Sequence, residues 1–542
     1  MIFSKIIPLL FLAVIGIGCS GHHSSHKSQE GAFREIKADS QTAIIQLPQG
    51  TIAGYLDGEV YTFKGVPYAK AERFMPPVEA DSWEGIRSCR YNGPSSPHGI
   101  AALYGKQDQD AFTYGRYNMC SADDCQNVNV WTRGLSDGKR RPVMVWLHGG
   151  GFRWGSGYEL PQYDGYELSA RGDVVVVCVT HRLGVVGFLD LSAYGSQYAS
   201  SGNAGMLDIV AALKWVNQNI EKFGGNPNNV TVFGQSGGGG KVSTLLTMPS
   251  AKGLFHKAII QSGSMLTQMT AENSRKFAAT ILDELGLKPE QSDKLKTMPW
   301  QEIDNASDRA AYKLTKELKN GFGMMGCAPH IDGTDLLMTP REALSADFNT
   351  DIPLMVGTNL NEFQVSATGE YNHLTWESAN ALAKTRYGEK AEAYMAAFRK
   401  AFPHARPKDA FETDFKFRAM AVEQARIKAS GRAPVYLYRF DWQSPLFNET
   451  LRACHNMEIA FAFHNVNLAR PMTGGTVSAH RLQDLMADAW INFARTGNPN
   501  HAGLPKWEPY TQTGGMTLIF DETCTTQMDP DIEILKILED IQ

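Results

Sequence analysis

The sequence predicts an α/β protein: one doubly wound, mostly parallel sheet flanked by helices, with an N-terminal meander and helical insertions. Three observations carry this. Val174–Val179 is a nearly unbroken run of valines, as in a strand buried on both faces of a parallel sheet. Short apolar strands alternate with helical stretches along most of the chain. At Val230–Phe233 an apolar run breaks into glycines around Ser236 and continues as helical composition over Lys241–Met248, so strand, sharp turn and helix meet at one serine.

The elements follow in order. Ala43–Ala69 alternates between glycines and predicts a meander. Val143–Leu147 predicts a strand running into His-Gly-Gly-Gly-Phe (His148–Phe152). Met206–Ile220 has helical spacing through Ile209, Leu213, Val216 and Ile220. Lys257–Gln261 predicts a strand, Thr270–Asn320 a polar helical insertion, and Pro353–Gly357 the next strand. Helices are expected over Trp376–Ala401, Phe411–Ser430 and His480–Ala494, with a strand at Val435–Phe440.

With 542 residues, 43% of them hydrophobic and 20% charged, the chain can bury a large core. A net charge of −5 with no basic run argues against nucleic acid as a partner. Lys5 precedes a twelve-residue apolar run, Ile6–Ile17, too short to span a bilayer and placed as a signal segment. It ends in Gly-Ile-Gly-Cys (Gly16–Cys19), which resembles a bacterial lipoprotein signal with Cys19 lipidated. The expected division is a signal at 1–18, a Ser- and His-rich tether at 19–32 and one domain at 33–542. Export as a cell-envelope lipoprotein is expected, with secretion as the alternative, and a membrane is a partner only through that lipid. Oligomeric state is left open.

Gly-x-Ser-x-Gly at Gly234–Gly238 suits a nucleophile elbow, in which glycines relieve a strained turn and present Ser236 Oγ. A phosphate loop does not fit, because Gln235 falls where its first glycine must stand and Val242 where Ser or Thr must hold the metal. His148–Gly151 suits an oxyanion loop: backbone N–H groups of Gly150 and Gly151, joined by that of Gly237, approach a carbonyl oxygen without a Cβ in the way. No metal site or cofactor is expected, since Cys-x₄-Cys at Cys120–Cys125 is not a zinc spacing. Those two cysteines are close enough for a small disulfide loop, with Cys89 the rival partner of Cys125.

Taken together, the chain resembles type-B carboxylesterases, the family of bacterial p-nitrobenzyl esterases and cholinesterases. The likeness runs through Phe63–Ala69, Asp123–Cys125, His181–Leu189, Ala212–Pro227, Gly253–Ser264 and Ile519–Asp521. It implies an α/β-hydrolase fold and a serine ester hydrolase working through an acyl-enzyme on a small-molecule ester. It also implies an acid at Glu362, in Gly-Thr-Asn-x-x-Glu, and a base at His455, in Ala453–Phe463. Asp351 is the rival acid, and His464 is read as structural. Ser262 and Glu458 are implied to lie behind the triad, and Arg73 and Asp123 to form an ion pair. The chain departs from the family at Gln235, where Glu is usual, and at Phe363, where Gly is usual. It also lacks a choline-stacking Trp between Trp83 and Trp131. An amide, carbamate or lactone hydrolase with the same triad, or a silent binding module on this scaffold, is the alternative. Phe152 and Trp154, with the aromatic stretch Tyr104, Phe112, Tyr114 and Tyr117, are candidates for the pocket or its mouth.

Overall fold

A computed structural model of the chain describes residues 34–98, 112–116, 119–318, 326–346, 348–364 and 369–539. Cys19 and the expected signal and tether lie outside these. Contacts divide the chain into Met1–Glu35 and Ile36–Gln542, and the architecture here is that of the second unit. Its sheet has twelve strands: β1 (Ile36–Lys37), β2 (Tyr55–Asp57), β3 (Val60–Pro67), β4 (Asn127–Thr132), β5 (Arg141–Leu147), β6 (Val175–Thr180), β7 (Gly225–Gln235), β8 (Lys257–Gln261), β9 (Leu354–Asn359), β10 (Val435–Phe440), β11 (Met516–Phe520) and β12 (Thr525–Met528). They lie in the order 1-2-3-4-6-5-7-8-9-10-11-12. Strands β6 to β11 form the parallel centre, and the pairs toward either edge are antiparallel.

Side chains of a strand alternate between faces, so a sheet covered on both sides needs apolar residues at every position. Val143, Val145 and Leu147 of β5 pack with Ile209, Leu213 and Val216 of helix α1 (Ala204–Asn219). Met144 and Trp146 of the same strand enter the opposite cluster with Phe233, Phe463 and Trp490. The helix over Val477–Thr496 supplies Trp490 from that second face.

The meander departs from the expected single run. Ile44–Gln46 and Thr51–Ala53 join Ile86–Ser88 in a separate three-stranded sheet, and only β2 and β3 enter the main one. The break falls at Gly54, where a Cβ would stand 2.3 Å from the Thr62 carbonyl oxygen. Neither expected disulfide forms. Cys89 and Cys125 are buried free thiols, and Cys120 is an exposed free thiol. The implied ion pair is present, with Arg73 Nε 2.8 Å from Asp123 Oδ1.

Arg182, just beyond the carboxyl end of β6, locks this strand to α1. Its Nε and Nη2 reach the two Asp208 oxygens at 2.8 and 2.7 Å, and its Nη1 donates to the Glu72 and Met75 carbonyls. Removing one partner of a fully buried pair strands the other charge. Arg182→Met is therefore expected to cost about 3–5 kcal/mol of stability, much of it recovered in the R182M/D208L double variant. Thermal or urea unfolding of the two variants checks this.

Candidate active site

The sheet register brings the site together. Leu147 at the end of β5 pairs with Gly234, Gln235 pairs with Gln261, and Gln261 pairs with Gly357. The chain therefore leaves β5, β7, β8 and β9 at nearly one level, where open parallel sheets bind ligands. His148 follows β5, Ser236 follows β7, Ser262 follows β8, and Glu362 lies three residues beyond β9. Asp351 is exposed and precedes β9, at the opposite end of the strand, which removes it as a partner for His455.

Ser236 has φ 56° and ψ −123° and begins helix α2 (Gly237–Leu245). A non-glycine residue here costs on the order of 1–3 kcal/mol of strain. Surrounding backbone holds it: the Ser236 N–H donates to the Gln261 carbonyl at 2.8 Å, and the Gly240 N–H donates back to the Ser236 carbonyl at 3.0 Å. A Cβ on Gly238 would stand 1.9 Å from the Leu147 oxygen, and one on Gly237 would stand 2.1 Å from the Gly151 oxygen. Only glycines let the elbow and the His148–Gly151 loop pack this closely. Gly150 and Gly151 have φ of 83° and 62°, and their N–H groups find no acceptor among the described residues.

His455 is buried, and its Nδ1 lies 2.5 Å from Glu362 Oε2. Glu362 Oε1 accepts the Asn359 N–H at 2.8 Å, and the His455 N–H donates to the Glu362 carbonyl at 3.1 Å. With Nδ1 turned to the carboxylate, Nε2 is the free ring nitrogen. The Gln235 amide nitrogen sits 3.2 Å from Nε2 and 3.4 Å from Nδ1, which places it against the ring, and among the described contacts Nε2 makes none with Ser236 Oγ. Such bonds commonly tighten only in the substrate complex. The Phe363 ring lies against the imidazole with centroids 4.0 Å apart, and Phe417 lies at 5.6 Å. Tyr114 donates to the His455 carbonyl at 3.3 Å, while exposed Phe112 meets Phe447 edge-on. Tyr104 and Tyr117 lie outside the described residues. Phe152 is buried against Phe188. His464 pairs with Asp484 at 2.7 Å, away from this group.

Of the two residues implied behind the triad, Glu458 is linked to it and Ser262 is not. Glu458 accepts from Asn359 Nδ2 at 2.6 Å and from Gln261 Nε2 at 3.3 Å, and Trp490 Nε1 donates to Gln261 Oε1 at 3.1 Å. These amides occupy its oxygens, and the buried Ser262 hydroxyl has no hydrogen-bond partner among the described residues. Burial, then the Glu362 charge, pushes the Glu458 carboxyl up to about 7. No group of His, Cys, Asp and Glu among the described residues is arranged to hold a metal ion. A cavity of about 460 Å³, lined by Tyr68, Pro76, Val78, Leu207 and Trp215, includes none of these site residues.

Asp414 was not signalled by any motif. It is buried, accepts the Phe417 N–H at 2.8 Å, and burial followed by the Glu362 charge raises its carboxyl to about 6. An acid whose folded pKa is raised binds its proton more tightly when folded, so stability falls as pH rises from the unfolded value, 3.8, through about 6. The ionised form costs up to about 3 kcal/mol by that displacement. Asp414→Asn should lessen the fall in melting temperature between about pH 4 and 6, leaving the part due to Glu458 up to about pH 7, and make the variant the more stable protein at pH 8. Calorimetry across that pH range checks it.

The chain matches the carboxylesterase family over residues 41–533. It is 35% identical to para-nitrobenzyl esterase of Bacillus subtilis (strain 168), across 90% of this chain and 97% of that protein. Carboxylesterase 1D of Rattus norvegicus is 32% identical over 91% of this chain and 92% of its own. An esterase structure from anaerobic Clostridium hathewayi, described as able to hydrolyse aliphatic aromatic polyesters, superposes with a TM-score of 0.84 at 35% identity, covering 94% of this chain and all of that one. A solved PNB esterase gives 0.75 at 33% identity, over 91% of this chain and 99% of its own. On this agreement of sequence and architecture, the chain belongs to the carboxylesterase family: it has the α/β-hydrolase fold and hydrolyses ester bonds.

Proposed function

We propose that the chain cleaves carboxylic esters through an acyl-enzyme formed on Ser236. The observation that carries this is the 2.5 Å pairing of His455 with Glu362, delivered beside the strained Ser236 elbow by three separate loops. Oriented by Glu362, the ring offers Nε2 as the base. It takes the Ser236 proton as Oγ bonds to the ester carbon, and the carbonyl electrons move onto oxygen. The N–H groups of Gly150, Gly151 and Gly237 receive that oxyanion. Collapse breaks the bond to the alkoxide, which leaves with the proton from His455. Water, deprotonated by the same ring, then attacks the acyl-Ser236, and collapse returns the serine and releases the acid. The rings of Phe363 and Phe417 against His455 supply stacking surface, which supports esters with an aryl part.

Hydrolysis of p-nitrophenyl acetate, butyrate and octanoate tests this. Turnover is expected in the parent protein and a loss of roughly a thousandfold or more in kcat in Ser236→Ala, with folding retained. Equal turnover in both proteins would refute the assignment. The neutral amide of Gln235 sits against the ring where a carboxylate would favour the imidazolium. Gln235→Glu should therefore shift the acidic limb of kcat/KM to higher pH, and a stationary or lowered limb would sink the account.

A further inference from the structure

Helix α2 carries one ionisable side chain that this chemistry leaves unused. Lys241 follows the four glycines, is fully buried, and donates from Nζ to the His148 carbonyl oxygen at 2.9 Å. The same oxygen lies 2.9 Å from where a Cβ on Gly238 would stand, so the peptide that opens the glycine loop packs closely on α2 about one turn before the Lys241 bond. The Phe152 ring, just past the loop, lies 5.9 Å from the ammonium.

The groups facing Lys241 are few. The His148 and His181 rings stack at 5.2 Å, and burial with the charge of Lys241 holds both imidazoles neutral. His98 and Arg182 stand behind them. Glu159 is the negative charge that acts on Lys241, and it is already engaged by Arg116. A buried ammonium with a carbonyl for partner and a shared counter-charge leaves positive potential beside the loop.

We propose that Lys241 is a positioning residue for ester cleavage, holding the His148 carbonyl so that the Gly150 and Gly151 N–H groups stay turned toward the carbonyl attacked by Ser236. This rests on the assignment of Ser236 made above. Burial brings the Lys241 amine down to about 7, so the ammonium is lost across the neutral range. A charged donor bonds roughly twice as strongly as a neutral one. Control of the loop therefore weakens as pH rises, giving the rate profile a descending limb near neutrality.

The test is kcat and KM on p-nitrophenyl acetate between about pH 5 and 9 for the full chain, Lys241→Met and Glu159→Gln. Lys241→Met should lower kcat about tenfold or more, leave KM within about twofold, and abolish the descending limb. Glu159→Gln, which removes the charge favouring the ammonium, should move that limb to lower pH. A Lys241→Met protein with parental kcat, or with the limb intact, overturns the proposal. Should Lys241→Met fail to fold, an unmoved limb in Glu159→Gln overturns it alone. Parent protein inactive on every ester would refute the Ser236 assignment itself, a result distinct from an active parent indifferent to Lys241.

Discussion

The left-handed backbone at Ser236 is the constraint on which the rest of the site depends. A serine at φ 56° persists only where its surroundings over-determine it. Here the determination comes from neighbouring main chain: Gln261 accepts its N–H, and Leu147 and Gly151 press against Gly238 and Gly237. Those contacts exist because β5, β7 and β8 end in register, and the register is set by strands apolar on both faces. Hydrophobic pattern thus fixes strand position, strand position fixes loop exits, and the exits hold a strained serine against a glycine loop. A one-residue slip of β7 would turn Trp146 and Phe233 from partners in one cluster into residues on opposite faces.

A second consequence is electrostatic. Phe363, Phe417 and Tyr114 pack against His455, and the carboxylates of Glu458 and Asp414 are buried from water. Burial then raises both Glu458 and Asp414, and the charge on Glu362 adds to each. The three acids are not equivalent. Glu362 alone receives the imidazole N–H, while Glu458 is held by side-chain amides and Asp414 by the Phe417 N–H and the Gln364 amide. Helix α2 carries one ionisable side chain, the buried Lys241, whose Nζ reaches the His148 carbonyl.

Much of this was legible in the sequence because it rests on local pattern. Val174–Val179, Lys257–Gln261 and Val435–Phe440 are strands wherever both faces are covered, and Met206–Ile220 shows its buried stripe by spacing alone. Strand β4 escaped because Asn127 and Asn129 interrupt its valines. In the fold, Asn129 accepts the Gly65 N–H and donates to Asn92, partners 64 and 37 residues away that no window of pattern contains. Asp414 and Lys241 were silent for the same reason: each is defined by what the fold packs around it. The cysteines failed differently. Closeness in sequence suggested a loop between Cys120 and Cys125, but one is at the surface and the other in the core.

The neutral amide at position 235 completes the electrostatic logic. In the proposed mechanism the base takes a proton from Ser236 and gives it up to the leaving alkoxide within one cycle, so the imidazolium must be stabilised without being trapped. Full negative charge on Glu362, Glu458 and Asp414 together would hold the proton on the ring. The fold limits that charge in two ways: burial biases two of the acids toward their neutral forms, and the residue touching Nε2 is an amide. In the proposed chemistry one carboxylate orients the ring, and the positive potential for the oxyanion comes from the glycines that open α2 and from the Lys241 ammonium bonded to the His148 carbonyl. Placing the two charges on different elements lets each act on its own step.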